Sequence, residues 1–349
     1  MLEYYINDIL RSLFVLVIIG GGIYTVLRMN RNRIWHDVFR QIWSVPIARI
    51  SFGVICLYLF VFLLDSISYP LFKEVNKKHV FVNSRTLLEV IYTPAREESY
   101  SAPMAKYQFT DKKMENKGIH PAGTNINGED VLMNAFKGIK VAFTIGGLTT
   151  LIILPIGIFF GLIAGYFGKG ADTTVTYVYS TLACIPEILL LIALMNIFGN
   201  GVLQLCIALG ITSWVGLCRI VRGETMKQKN MEYVQSARAL GQSHFRIIFK
   251  HILPNVMHII LITSILRFSG LVMAEVILSY LGLGVPPEIA SWGIMIDQSR
   301  GELARDPMVW WNIITAFSFM FILILSVNFF GDTIRDVLDP RTRVKGVKA

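Results

Sequence analysis

Apolar residues along this chain gather in uninterrupted blocks instead of alternating with polar ones. A helix that crosses a membrane needs roughly 17–25 predominantly apolar residues. Seven blocks meet or approach that length: Ser12 to Leu27, Ile47 to Leu64, Val141 to Phe167, Thr173 to Phe198, Val202 to Val221, Val256 to Gly284 and Trp310 to Gly331. The pattern predicts an all-α polytopic membrane protein. The first block is the weakest, being short and carrying Gly20, Gly21 and Gly22. It does not read as a signal peptide, because Glu3 and Asp8 outnumber Arg11 ahead of it and no A-x-A site follows. Pro155 and Pro186 fall within blocks. Kinks in packed helices are the commoner meaning of such prolines, with transport hinges as the alternative.

The polar stretches between blocks set the orientation. Arg28, Arg31, Arg33, Arg40 and Arg49 crowd the first connector against Asp37 alone. The loop Arg222 to Asn255 carries Arg222, Lys227, Lys229, Arg238, Arg246 and Lys250 against Glu224 and Glu232. The tail adds Arg335, Arg341, Arg343, Lys345 and Lys348, whereas Val285 to Val309 has only Arg300 and Arg305 against four acids. Short basic loops stay in the cytoplasm. Seven spans put all three basic segments on one side, with the N-terminus outside and the C-terminus inside. Asp65 to Lys137 then lies outside; its ten bases and nine acids nearly cancel, and it shows no clear period. A small subdomain and a partly ordered loop both fit it. Trp292, Trp310 and Trp311 fall near expected interfaces, where amphipathic rings settle.

Composition agrees. Of 349 residues, 54% are apolar and 16% charged, against roughly 45–50% and about 25% in soluble domains. The formal charge of +9 would suggest nucleic acid in a soluble protein. Here the bases sit between hydrophobic blocks, which is membrane topology and excludes that partner class. Cys56, Cys184, Cys206 and Cys218 all fall inside spans without a CxxC pair, so they read as small buried hydrophobes.

The stretch EYVQSARALGQSHFRIIFKHILPN, Glu232 to Asn255, is the most informative. Met231 to Leu240 are good helix formers, and Gly241 suits a left-handed helix stop. Ser243 can cap a second short helix, expected to end near Pro254. The segment is a helix–Gly–helix unit in a basic loop. Composition alone favours an amphipathic unit resting on the inner leaflet.

This loop resembles the signature loop of binding-protein-dependent ABC transporter permeases, E-A-A, three residues, Gly, nine residues, I-x-L-P. Ala237, Gly241, Leu253 and Pro254 match in register, while Gln235, Ser236 and His251 depart. The peptide-transporter branch, YV-x-AARALG…RHILPN, fits Tyr233, Val234, Ala237 to Gly241 and His251 to Asn255. Trp214, Arg219 and Arg222 fit the pattern before the loop. EVILSYLGLGVPP from Glu275, SWG at Ser291, GDTIRDVLDPRTR from Gly331 and HPAGTNINGEDVL from His120 resemble further motifs of the branch. Asn125 and Glu129 stand in the last where the branch has Asp and Arg. The resemblance covers about Gly118 to Arg343 and leaves Met1 to roughly Arg40 unexplained.

It implies a type I importer transmembrane domain of about six core spans, here with one extra N-terminal span. The division is then 1–64 with two spans, 65–137 extracytoplasmic, 138–331 the permease core with the coupling loop 222–255, and 332–349 a cytoplasmic tail. It implies a non-catalytic subunit in a bacterial inner membrane, with lipid around it and no nucleic acid. The implied partners are a second homologous permease, two ATPases that dock on the loop, and an extracytoplasmic binding protein. No cofactor is expected in this chain: ATP and Mg would be held by the ATPases, since no G-x-x-x-x-G-K-[ST] run is present. The loop contact residues implied are Tyr233, Ala237, Leu240, Gly241, Phe245, His251, Leu253 and Pro254. Oligopeptide or dipeptide is the expected cargo; the branch also includes permeases for nickel and peptide-like antibiotics. A gradient-driven secondary transporter is the competing class, but it predicts repeated halves, and no such repeat is evident.

Two charges lie in the sixth block, Arg267 and Glu275. Eight residues put them about 12 Å apart along a helix, too far to bond directly. Arg267 can pair with Glu187, beside Pro186, or meet a substrate carboxylate; internal pairing is the usual resolution. His244, His251 and His258 recur every seven residues, roughly 10 Å on a helix, which is too far for one metal.

Overall fold

The structure is a computed structural model that describes residues 33–75, 78–109 and 115–338. The expected span Ser12 to Leu27 and the end of the tail lie outside them. Helices α1 (Arg33–Ser44) and α2 (Pro46–Ser66) lead to a hairpin of β1 (Ser68–Val75) and β2 (Lys78–Thr86), then the short α3 (Leu87–Ile91). Next come α4 (Val131–Phe167), α5 (Lys169–Ala183), α6 (Glu187–Phe198), α7 (Val202–Lys229) and α8 (Glu232–Ala239). A continuous helix α9 (His244–Tyr280) follows, then α10 (Trp292–Leu303) and α11 (Trp311–Leu338).

Among the described residues, α2, α4, α7, α9 and α11 are each long and apolar enough to cross a membrane. The block Thr173 to Phe198 is not one straight span. It is the pair α5 and α6, bent by 83°. Pro186 sits at the N-cap of α6 with extended ψ of 126°, and a proline restricts the residue ahead of it to non-helical backbone. Counting that pair as one span gives six. Pro155, by contrast, lies inside α4.

The residues form two compact units, one from Met1–Phe143 and Ala290–Thr333, the other from Thr144–Ile289 and Ile334–Ala349. In the first, the hairpin is antiparallel, with an irregularity between Leu71 and Phe72. The loop that follows is ordered by polar contacts. His120 is buried, its Nδ1 2.8 Å from Asp130 Oδ2 and its Nε2 3.1 Å from Glu97 Oε1. Thr124 Oγ1 donates to Ser99 O and accepts from Ser101 N. Asn125 and Glu129, the two departures in the HPAGT motif, face each other: Asn125 Nδ2 donates to Glu129 Oε2 at 3.0 Å.

Trp292 and Trp311 pack inside the protein. Both are buried, and their indole N–H groups donate to Ala135 O at 3.0 Å and Thr124 O at 2.9 Å. A buried indole needs such an acceptor. Trp310 is exposed. Glu302 is buried beside them and accepts from Asn312 Nδ2 at 3.1 Å. Burial pushes its carboxyl above the ordinary range, against the lowering effect of that bond.

In the second unit α7 is central: 67% of its apolar window is buried. It packs on α5, α6 and α9. Along α4, Gly157, Gly161 and Gly165 meet Leu217, Val221 and Thr225 of α7. Both rows step by four residues, so the two backbones approach along one ridge, the small-residue contact of membrane helices.

Candidate functional site

The basic loop folds as the sequence indicates up to its bend. Helix α8 ends in a Schellman turn: Gln242 N–H reaches Ala237 O at 3.2 Å and Gly241 N–H reaches Arg238 O at 3.0 Å. Gly241 takes φ +75, the left-handed conformation that this turn requires and that glycine adopts without strain. Ser243 occupies the N-cap of the next helix, but its side chain makes no cap bond.

The second helix does not stop at Pro254. Residues Ile247–Ile252 form a π turn, in which Leu253 N–H bonds Ile248 O. Proline normally clashes with the carbonyl four residues back. The wider turn places one extra residue ahead of Pro254, and the helix runs on into the membrane span. The helix after the bend and the span are therefore one rod, unbroken at Pro254.

Side chains tie this rod to its neighbours. Tyr233 O–H donates to Gln228 Oε1 at 2.6 Å, and Asn255 Nδ2 donates to Tyr233 Oη at 3.2 Å and His251 O at 2.7 Å. His251 Nε2 is 2.9 Å from Gln242 Oε1. At the base, Tyr166 Oη is 2.8 Å from His244 Nδ1, and the Arg238 guanidinium lies 5.7 Å from the Tyr166 ring centre. Leu240 and Phe245 instead point away, 80% and 71% exposed, and Phe249 is exposed as well. They form an apolar tip on a polar, pinned loop. Ala237 is buried, with Val234, Ile247, Ile248 and Ile252, so it packs the unit together and is not available to a partner. Leu253 is half-buried and Pro254 exposed.

Two further contacts hold α7 on α5. Arg222 makes a bidentate pair with Asp172, with Nη2 donating to Oδ2 at 2.8 Å and Nε bonded to Oδ1. Arg219 stacks 4.9 Å from the Tyr179 ring centre.

The second feature is a pocket of about 410 Å³ lined by α6, α7 and α9. Glu187 and Arg267 both face it, together with Ser213. Ser213 Oγ donates to Glu187 Oε1 at 2.7 Å, and Arg267 Nη1 donates to Ser213 O at 2.8 Å. The expected direct pair between Glu187 and Arg267 is not formed; among the described residues no ion pair joins them. The 83° bend turns α6 so that Ser213 of α7 comes between them. Glu275 is buried elsewhere and accepts from Ser279 Oγ at 2.8 Å.

The pattern described as the binding-protein-dependent transport system inner membrane component matches residues 157–344. The chain belongs to that family. The permease is 35% identical over 248 residues to the oligopeptide transport system permease protein OppC of Bacillus subtilis, covering 69% of this chain and 80% of that one. It is 33% identical over 240 residues to the dipeptide transport system permease protein DppC of the same organism, covering 69% and 74%. Among solved structures it is similar to an inward-facing conformation of the MetNI methionine ABC transporter, with TM-score 0.45 and 17% identity over 59% of this chain and 95% of that one. The match begins within α4 and takes in the basic loop, the charged pocket and part of the tail.

Sequence reasoning passed over several residues of this permease. Ser213 has no signal beyond being one of two adjacent hydroxyl residues, with Thr212, in an apolar run before Trp214. Gly216 leaves room for the Arg267 guanidinium, whose Nη2 a Cβ there would overlap. Tyr166 closes the α4 end against the loop, and an aromatic at the end of an apolar block gave the only hint. The four-residue glycine spacing on α4 was readable from the start.

Proposed function

We propose that this permease forms half of the membrane pathway of an ATP-driven importer for oligopeptides or dipeptides. In this reading a second permease completes the pathway, two ATPases dock on the loop 222–255 and supply ATP and Mg, and a binding protein delivers peptide from outside. The chain has its tail in the cytoplasm, and the N-terminus lies outside if the first apolar block spans. The permease itself hydrolyses nothing. The observation that carries this is the exposed apolar tip of Leu240 and Phe245, in which Phe245 lies on the helix that runs unbroken from His244 to Tyr280. A push on Phe245 reaches the pocket-lining residues of α9 along one helix. The peptide assignment rests on the relatives named OppC and DppC.

The test is uptake of labelled di- and pentapeptides into proteoliposomes holding the permease with its copurified partners. ATP-dependent uptake, competed by other peptides and not by nickel, supports it. Uptake by this chain alone, driven by an ion gradient, overturns it.

A further inference from the structure

Charges inside a membrane span are costly and are usually resolved by pairing with one another. Glu187 and Arg267 feel each other's charge without a direct ion pair among the described residues. Among those residues each makes one hydrogen bond, and both bonds go to Ser213. A carboxylate offers about four acceptor sites and a guanidinium five donors, so most of both remains for another molecule. The pocket between α6, α7 and α9 sets these two groups against Ile188, Leu191, Leu266 and Leu271. Its volume of about 410 Å³ falls in the range of small-ligand sites, about 300–1,000 Å³. The guanidinium lies over Gly216, where any Cβ would overlap Nη2. The missing Cβ at Gly216 thus gives the guanidinium room against α7. Glu187 begins α6.

We propose that this pocket is a recognition subsite for a short zwitterionic peptide, in which Glu187 takes the α-ammonium and Arg267 the α-carboxylate. The inference rests on the peptide-importer reading and narrows its cargo. Glu187 and Arg267 hold opposite ends of one seryl residue, and a chain extends only about 3.3–3.6 Å per residue. Both ends of a dipeptide reach the two charges together; a long extended peptide engages one. The apolar lining accepts varied side chains without reading them, and the polar pair reads what every free peptide shares.

The assembled transporter in proteoliposomes tests this with Arg267→Gln, Glu187→Gln and Arg267→Lys. Losing a hydrogen bond to a charged group costs enough for about a tenfold change. The expected result is a KM for dipeptide uptake raised about tenfold by each Gln variant and partly restored by Lys. The melting midpoint stays unchanged. An unchanged KM overturns the proposal. A lowered melting midpoint with equal loss for dipeptide and pentapeptide also overturns it, since the residues are then packing elements. Loss of the second permease on purification of Glu187→Gln does so too, because Glu187 is then an interface residue. If the wild-type transporter carries no peptide, it is the importer reading that fails.

Discussion

Gly161 lies at the centre of the close contact between α4 and α7, and replacing it with alanine has a calculable consequence. A Cβ there would lie 2.7 Å from Val221 Cβ, 2.8 Å from its Cγ1 and 3.0 Å from Cys218 O. Carbon pairs are most favourable near 3.5–4.0 Å, so α4 and α7 must part by about 1 Å. The Cys218 carbonyl is backbone and cannot rotate aside. Gly157 and Gly165 flank the site at similar distances, 2.9 Å from Leu217 Cδ2 and 2.6 Å from Thr225 Cβ. Parting the ridge at its centre therefore loosens all three contacts. Overpacking of this kind costs about 1–3 kcal/mol. Gly147, on the same helix, has nothing within 4 Å of its own Cβ position. Alanine there removes a helix-weakening glycine and stabilises by roughly 0.5–1 kcal/mol. Thermal unfolding of the purified chain in detergent should give a lower midpoint for Gly161→Ala than for wild type and a slightly higher one for Gly147→Ala. Equal midpoints for the two variants would refute the packing argument.

Two further outcomes follow. Gly241→Leu meets no steric neighbour, so its cost is confined to the left-handed backbone, about 1–2 kcal/mol; it should insert normally while ATP hydrolysis continues without uptake, and full ATP-dependent uptake would sink the idea. Glu302 has its carboxyl raised by burial, so the folded state holds the proton longer than the unfolded chain and this group's contribution to stability falls as pH rises above the ordinary 4.5. Glu302→Gln cannot ionise and should flatten the fall in unfolding midpoint between pH 4 and pH 8, checked by unfolding scans across roughly that range; parallel curves would contradict the assignment.

Much of the architecture was readable because membrane spans are set by length and apolarity alone, as in Pro46–Ser66 and Trp311–Leu338. What was not readable depended on backbone geometry that hydropathy ignores. The block through Pro186 is equally apolar whether straight or bent. The π turn before Pro254 saves a helix that proline rules would end. The hairpin Ser68–Thr86 lies in a stretch with no clean alternation to announce it. In the basic loop, Gly241 and the exposed Leu240 and Phe245 were legible from local chemistry, whereas the burial of Ala237 within the loop unit depends on how its two helices pack. The pocket shows the same limit. Both charges stood out as intramembrane residues, but their separation by Ser213 depends on the angle between α5 and α6.

The most direct measurement concerns the tip. With exposed Cys56 and Cys184 changed to serine, Leu240→Cys supplies a single accessible thiol on the docking loop. Its labelling rate by a water-soluble maleimide is compared in the isolated permease and in the complex with ATPase, with and without ATP. The expected result is fast labelling in the isolated chain, strong protection in the complex, a cross-link to the ATPase on oxidation, and a change in that cross-link on adding ATP. Equal labelling in both, with no cross-link to the ATPase, would contradict the docking role of the loop.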